Sequence, residues 1–137
     1  MSSGSSTDFL WLPMRYRWRW ALSLCVAISA VAHIPVVGEH LREAPYMGEE
    51  FLVLIVGCVL IGIAALVCDS PALYLLAVIT CGLAIAGYAA TRIVAFPRLE
   101  DDVGNWFELL GLVSIIAESA TVAIALCALA SGRRELA

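Results

Sequence analysis

The chain has 137 residues, 62% of them hydrophobic and only 15% charged, and carries a net charge of −4. Soluble domains are roughly half apolar and about a quarter charged, so this composition predicts an integral membrane protein. A nucleic-acid-binding protein is excluded, because the basic residues form no stripe beyond a short N-terminal cluster.

The N-terminal flank, residues 1–19, is predicted to be a cytoplasmic tail that ends in a membrane-interface anchor. Its first part is rich in Ser and Gly. Cations and aromatics then alternate in the order Arg15, Tyr16, Arg17, Trp18, Arg19 and Trp20. Such aromatics lie at the headgroups while arginine reaches anionic lipid, so we expect the lipid bilayer to be a partner.

Four apolar runs follow, each long enough for a helix that crosses a hydrocarbon core of ~30 Å. They cover residues 20–37, 51–68, 72–94 and 107–130. These runs predict an all-α integral membrane protein whose domain, residues 20–130, is an antiparallel four-helix bundle. The first connection, 38–50, is then a long loop, and residues 131–137 form a second tail.

Two local signals predict helix starts. Pro71 suits the first position of the third helix, because its missing N–H would have no partner there. Asn105 is placed to cap the fourth helix, with Glu108 three residues later as in a capping box.

The distribution of arginine predicts the orientation. Arg15, Arg17 and Arg19 precede the first helix, and Arg133 and Arg134 follow the fourth. Positive flanks stay inside, so both termini are expected in the cytoplasm and the protein in the inner or plasma membrane. The opposite face then carries an outer acidic cluster, formed by Glu49, Glu50, Glu100, Asp101 and Asp102.

A signal peptide is an alternative interpretation of the first run. Ala30-Val31-Ala32 has the small-residue pattern of a cleavage site. Cleavage after Ala32 would leave His33 as the N-terminus, and a free amine beside an imidazole is a strong chelate for Cu(II). Against this interpretation, the apolar character continues through Val37.

Glu118 is the residue most costly to place in lipid, because it lies about 16 Å down the fourth helix and near the bilayer midplane. It shares one small and polar stripe, at helical spacing, with Gly111, Ser114, Thr121 and Ala125. The stripe must face the interior. There, Glu118 would be either a neutral acid bonded to a neighbouring helix or a proton or cation relay.

The phases of the other helices extend this stripe into a polar column. His33 and Arg92 are expected near the outer mouth, with Tyr88 below them and Glu118 deepest. Cysteines are read as small core hydrophobes, because they lack any CxxC pair and are odd in number. They are Cys25, Cys58, Cys68, Cys81 and Cys127.

Histidine and carboxylate at the outer mouth suggest a metal site. One helical turn would place His40 and Glu43 on the same side, and His33 lies in the same segment. Together they would hold a divalent transition metal, although no established metal motif such as HExxH is present. Haem is disfavoured, because both histidines lie in one segment and cannot ligate from opposite helices.

The predicted outer connections carry two distinctive segments: HxPVxxEHLxEAPYxG from His33 to Gly48, and RxxxxPxxxDDVGNW from Arg92 to Trp106. They resemble a group of small four-span membrane proteins from GC-rich Gram-positive bacteria. That group has no assigned activity, so the resemblance implies four helices and linked outer connections but no catalytic role. This chain departs from it at 95–97, where the relatives have Gly-Leu-Pro, and at 108–111, where they have Glu-Pro-Leu-Gly.

Three functions agree with these features, and an enzyme is not favoured. The first is a non-catalytic accessory or sensor whose acidic outer face meets a metal ion, a proton or a partner, such as a larger membrane complex. The second is a small proton-coupled transporter that works through Glu118, as a homodimer because four short helices enclose little volume. The third is a membrane metal-binding or redox protein that uses His33, His40 and Glu43.

Overall fold

The fold is all-α within the part of the chain that the structure, a computed structural model, describes. That part is the backbone of residues 8–135 and the side chains of residues 8–132. It contains four long helices: α1 (Arg19–Glu43), α2 (Pro45–Val67), α3 (Pro71–Ile93) and α4 (Leu109–Glu135). Each is long and apolar enough to cross a membrane. The prediction of a multi-pass, four-helix protein is therefore confirmed.

Two sequence predictions concern residues beyond this part. The first seven residues of the N-terminal tail and the last two of the C-terminal tail lie outside the described residues. So do the side chains of Arg133 and Arg134, on which part of the orientation argument depends.

The predicted long loop over residues 38–50 is wrong. Helix α1 continues to Glu43 and α2 begins at Pro45, so that only Ala44 separates them. The proline explains the junction, since it disfavours helical backbone in the residue before it and suits the first position of a helix. Ala44 is accordingly non-helical, with φ −135° and ψ 80°. Pro35 lies inside α1 and removes only one backbone donor, which does not end the helix.

The remaining helix ends differ less from the predictions. Pro71 is at the start of α3, as predicted. Helix α4 begins at Leu109 and its backbone remains helical to Glu135, so the predicted second tail is largely helix. The predicted capping box at Asn105 is wrong, because the helix starts four residues later and Glu108 pairs with Arg92 instead.

Small residues let α1 and α2 approach closely. Ser23 Oγ donates a hydrogen bond to the Gly62 carbonyl at 2.9 Å, and an added Cβ at Gly62 would lie 3.2 Å from Val26 Cγ2. Small side chains at such a seam are typical of helices packed in a membrane. Helix α1 also packs on α4, and α4 on α3, whereas α2 and α3 contact each other less.

Each end of the helix bundle is closed by polar bonds between segments. At one end, Asp69 accepts hydrogen bonds from the Tyr16 N–H at 2.6 Å and the Tyr74 hydroxyl at 2.5 Å. At the other end, Tyr46 donates to the Pro97 carbonyl at 2.8 Å, and Arg98 donates to the Glu43 carbonyl at 3.2 Å. The connection between α3 and α4 is thereby held against the α1–α2 junction.

The cysteines are all free, and they divide into two groups. Cys58 and Cys81 are buried in the core and Cys25 is half-buried, as expected of small core hydrophobes. Cys68 and Cys127 are exposed on the helix bundle. For these two the prediction is wrong. Cys68 lies just beyond the end of α2, and Cys127 is on an outward face of α4, where an apolar residue can face lipid as readily as the core.

Candidate functional site

A cavity of about 720 Å³ lies among the helices and is lined by residues from all four of them. One end is bounded by His40, Glu49 and Asp102, near the α1–α2 junction and the α3–α4 connection. The other end reaches Glu118, in the middle of α4. We refer to the first end as the mouth and to the second as the base. Cavities of this size are typical of sites for small molecules.

Glu118 lies at the base and is 1% exposed. The Ser29 hydroxyl of α1 donates a hydrogen bond to Glu118 Oε1 at 2.8 Å. Ser114, Thr121 and Ala125 are buried on the same side of α4, as their helical spacing predicts. A carboxylate inside a membrane is costly unless it is neutral, paired or beside water. Here it has a donor from a neighbouring helix and borders a cavity.

His33 is the nearest titratable side chain to this carboxyl group. It is 8% exposed, and its Nε2 lies 4.0 Å from Glu118 Oε1. Its Nδ1 lies 2.8 Å from the Ser29 carbonyl. Because a carbonyl only accepts, Nδ1 carries the proton, which leaves Nε2 of the neutral ring free to accept another. Ser29 therefore orients both the Glu118 carboxyl group and the His33 ring. A proton can be held either on Glu118 or on His33 Nε2, which lie 4.0 Å apart.

His40 lies seven residues, about two helical turns, further along α1 towards the mouth. Its Nδ1 is 2.9 Å from the Val36 carbonyl, which fixes the ring as in His33. Both imidazoles contact Phe51 of α2, with ring centroids 5.1 Å apart for His33 and 4.9 Å apart for His40. The two rings thus flank one aromatic side chain.

The predicted metal ligands are not assembled. No group of three or more His, Cys, Asp or Glu side chains that could hold a metal ion occurs among the described residues. Glu43 is the last residue of α1, and its backbone carbonyl accepts a bond from Arg98. It does not line the cavity, whereas His33 and His40 do.

Arg92 occupies the mouth and is 6% exposed. Its Nη1 lies 3.0 Å from Asp102 Oδ1, and its Nη2 lies 3.1 Å from Glu108 Oε2. Its guanidinium carbon lies 4.5 Å from the centroid of the Tyr88 ring, a cation–π contact. Arg92 thus joins α3 both to the α3–α4 connection, through Asp102, and to the residue that precedes α4, through Glu108.

Tyr88 of α3 lies beside Arg92 and packs against α4 at Gly111. Its hydroxyl donates to the Trp106 carbonyl at 2.9 Å. The ring needs the space left by Gly111, where an added Cβ would lie 2.7 Å from Tyr88 Cε2. The predicted order along the column, with His33 and Arg92 at the outer mouth, Tyr88 below them and Glu118 deepest, is wrong for His33, which lies 4.0 Å from Glu118 at the base. Arg92 and Tyr88, however, bond to the connection rather than to Glu118.

The predicted outer acidic cluster divides into two groups. Glu49, Glu50 and Asp102 line the cavity. Glu100 and Asp101 form a short 3-10 helix with Asp102 but do not line it. Glu49 and Glu50 lie in the second turn of α2 and not at its start, because that helix begins at Pro45.

Three contacts were not anticipated from the sequence. Glu108 is a partner of Arg92, Phe51 is the surface for both histidines, and Asp69 joins the N-terminal flank to α3. Helical periodicity places the charged residues on a face but does not identify their partners on other helices. The sequence signal nearest to these contacts is Pro71, and it indicates the start of α3 but no partner for Asp69.

The fold and the cavity fit one class of protein: a multi-pass, all-α membrane protein with polar side chains around a cavity among its helices. No known family, characterised protein or solved structure matches the chain. Its function must therefore be argued from the cavity.

Proposed function

We propose that the protein is a non-catalytic membrane sensor in which Glu118 takes up and releases a proton through the cavity. The observation that carries this proposal is the cluster at the base, where Ser29 donates to Glu118 and His33 Nε2 lies 4.0 Å away. His40, Glu49 and Glu50 line the same cavity nearer the mouth. They supply proton-carrying groups between Glu118 and the surface.

A change of charge at Glu118 would be transmitted because this residue bridges two helices. Ser29 belongs to α1 and Glu118 to α4. The ionised carboxylate accepts the Ser29 bond strongly and attracts a protonated His33, whereas the neutral acid does neither to the same degree. Protonation would therefore loosen or rearrange the packing of α1 against α4.

Infrared difference spectroscopy on protein in lipid vesicles tests this proposal. We expect a carboxyl C=O band that appears reversibly on acidification and is missing in Glu118→Gln. The matched control is Glu108→Gln, since Glu108 is a partly exposed carboxylate at the mouth. The proposal fails if the band is absent from the wild type or persists in Glu118→Gln.

A proton-coupled carrier is the second candidate, and the cavity volume of about 720 Å³ favours it. A carrier would pass protons across vesicles loaded with a pH-sensitive dye, and Glu118→Gln would abolish this flux without unfolding the protein. A sensor would exchange the proton with one side only. Sustained flux in the wild type would therefore replace the sensor proposal by the carrier.

The topology that we propose is antiparallel, with both termini in the cytoplasm and the protein in the plasma membrane. Asp69 bonds to the segment before α1, and the Met14 side chain lies beside Gly132 of α4. These contacts bring both ends of the helical domain together. Single cysteines at Glu100 and Ser131, in a cysteine-free background, would test the orientation with a membrane-impermeant thiol reagent. Labelling of position 131 from outside would contradict it.

A sensor must pass its state to a partner, and we propose a larger membrane complex for that role. A homodimer is the alternative partner, although a single chain already forms a cavity of about 720 Å³. Co-purification with a larger membrane protein in mild detergent is the expected result, and a solitary monomer would argue against it.

A further inference from the structure

The cavity opens sideways between α2 and α3. Val53 and Leu83 line it and are nevertheless 73% and 69% exposed, so they mark the place where it reaches the surface of the helix bundle. The two helices approach near Gly57, where an added Cβ would lie 3.4 Å from Thr80 Cγ2. In a membrane, an opening of this kind faces acyl chains rather than water.

Arg92, which also lines this cavity, carries a buried donor without a partner. Its Nη1 and Nη2 are engaged by Asp102 and Glu108, but its Nε has no hydrogen-bond partner. Among the described residues, Nε is the only buried side-chain nitrogen or oxygen without a hydrogen-bond partner. A buried donor without a partner is costly, and an acceptor atom of a ligand would remove that cost.

The charges that face Arg92 limit what this acceptor can be. Asp102 and Glu108 pair with it directly, and Glu49 and Glu50 of α2 and Glu118 of α4 line the same cavity. On α1 the facing groups are the imidazoles His33 and His40. Carboxyl groups thus outnumber the single guanidinium. An anionic head would be repelled, and a cationic head could not accept from Nε.

We propose that the cavity binds a neutral amphiphile from the bilayer. Its head carries a carbonyl or hydroxyl oxygen that accepts a hydrogen bond from Arg92 Nε, and its apolar tail leaves between α2 and α3 past Val53 and Leu83. The volume of about 720 Å³ suits a head and part of a tail. This inference rests on the proposed sensor function, for which it names the class of ligand.

Two glycines of α3 provide a matched pair of variants. Gly87 lines the cavity, whereas Gly82 does not, and an added Cβ would meet nothing within 4 Å at either position. Gly87→Leu therefore adds a bulky side chain in the cavity lining, and Gly82→Leu adds the same side chain outside it. Both changes replace a helical glycine, so their effects on helix propensity should be alike.

The experiment measures equilibrium binding of three probes to the full chain in an anionic amphipathic polymer, which adds no free neutral amphiphile that could compete. The probes share one oleoyl tail and differ in the head: neutral monoolein, anionic oleate and cationic oleylamine. We expect saturable binding of monoolein to the wild type and to Gly82→Leu. The affinity should fall roughly tenfold in Arg92→Lys, the size expected for the loss of one hydrogen bond to a charged donor, and at least as much in Gly87→Leu.

The inference is overturned if monoolein does not saturate, if oleate or oleylamine binds more tightly, or if Gly87→Leu binds as well as Gly82→Leu. Because Arg92→Lys also alters two ion pairs, the glycine pair decides the outcome should that variant unfold. Both measurements are made on the wild type, which separates the two proposals. A reversible carboxyl band without saturable binding of monoolein overturns this inference alone, whereas absence of the band overturns the proposed sensor.

Discussion

Ser29 and Glu118 are 89 residues apart in the chain and share a buried hydrogen bond of 2.8 Å. The bond joins α1 to α4 at the base of the cavity. The Ser29 carbonyl also accepts the Nδ1 hydrogen of His33. One small residue thus fixes the environment of the carboxyl group and of the imidazole.

Replacing Ser29 with Ala should destabilise the protein. Glu118 Oε1 would lose its donor at a buried position, and such a loss costs about 1–3 kcal/mol. The measurement is the free energy of unfolding in detergent. Ser131→Ala is the control, because Ser131 is exposed and bonds only to a carbonyl of its own helix. Equal stabilities for the two variants would contradict the structural importance of the Ser29 bond.

Gly111→Ala should destabilise the mouth of the cavity. The added methyl group would lie 2.7 Å from Tyr88 Cε2, so the ring would have to move away from Arg92 and the Trp106 carbonyl. Overpacking of this kind typically costs about 1–3 kcal/mol. Gly82→Ala, which meets no neighbour within 4 Å, should instead stabilise α3 by up to about 1 kcal/mol. Chemical unfolding of the two variants should therefore shift in opposite directions.

The interior faces could be predicted from the sequence because the cost of polar groups in lipid is local. Glu118, Ser114 and Thr121 recur at helical spacing, and a stripe of this kind has only one favourable direction. The pairing of Glu118 with Ser29 could not be predicted. It depends on the rotation and axial shift of α1 against α4, which the periodicity of a single helix does not determine.

The predicted loop from Gly38 to Glu50 is wrong for a different reason. Its charges and the prolines at 35 and 45 are typical of a loop, yet α1 continues beyond its apolar run to Glu43. At ~1.5 Å per residue its 25 residues extend about 37 Å, more than the ~30 Å hydrocarbon core. Hydropathy detects where a helix leaves lipid but not where the helix ends.

Asp102→Asn should weaken the attachment of the α3–α4 connection more than Asp101→Asn. Asp102 is the partner of the buried Arg92 at 3.0 Å, whereas Asp101 forms no ion pair within the described part of the chain. Since the Asp102 side chain is 26% exposed, we expect a loss of only about 1–2 kcal/mol. Urea unfolding at low and high salt provides the measurement. The difference between the variants should shrink as salt screens the pair; an equal effect of both variants would count against the ion pair.

Asp69→Ala should release the N-terminal flank from the helix bundle. Asp69 accepts the Tyr16 N–H at 2.6 Å and the Tyr74 hydroxyl at 2.5 Å, and it is the last acidic residue before α3. Without it, the segment that contains Arg15 and Arg17 loses its side-chain anchor. Tryptic cleavage at these arginines should accelerate about tenfold, the factor that corresponds to ~1.4 kcal/mol, because cleavage follows the population of the open segment.

The site of cleavage supplies an internal control for this prediction. Arg98 lies in the connection at the opposite end of the helix bundle and is bonded to the Glu43 carbonyl, so cleavage there should be unchanged. Tyr74→Phe removes one of the two bonds to Asp69 and should give an intermediate rate. Faster cleavage at Arg98 as well would indicate global unfolding instead of local release. An unchanged rate at Arg15 and Arg17 would show that Asp69 does not hold the flank.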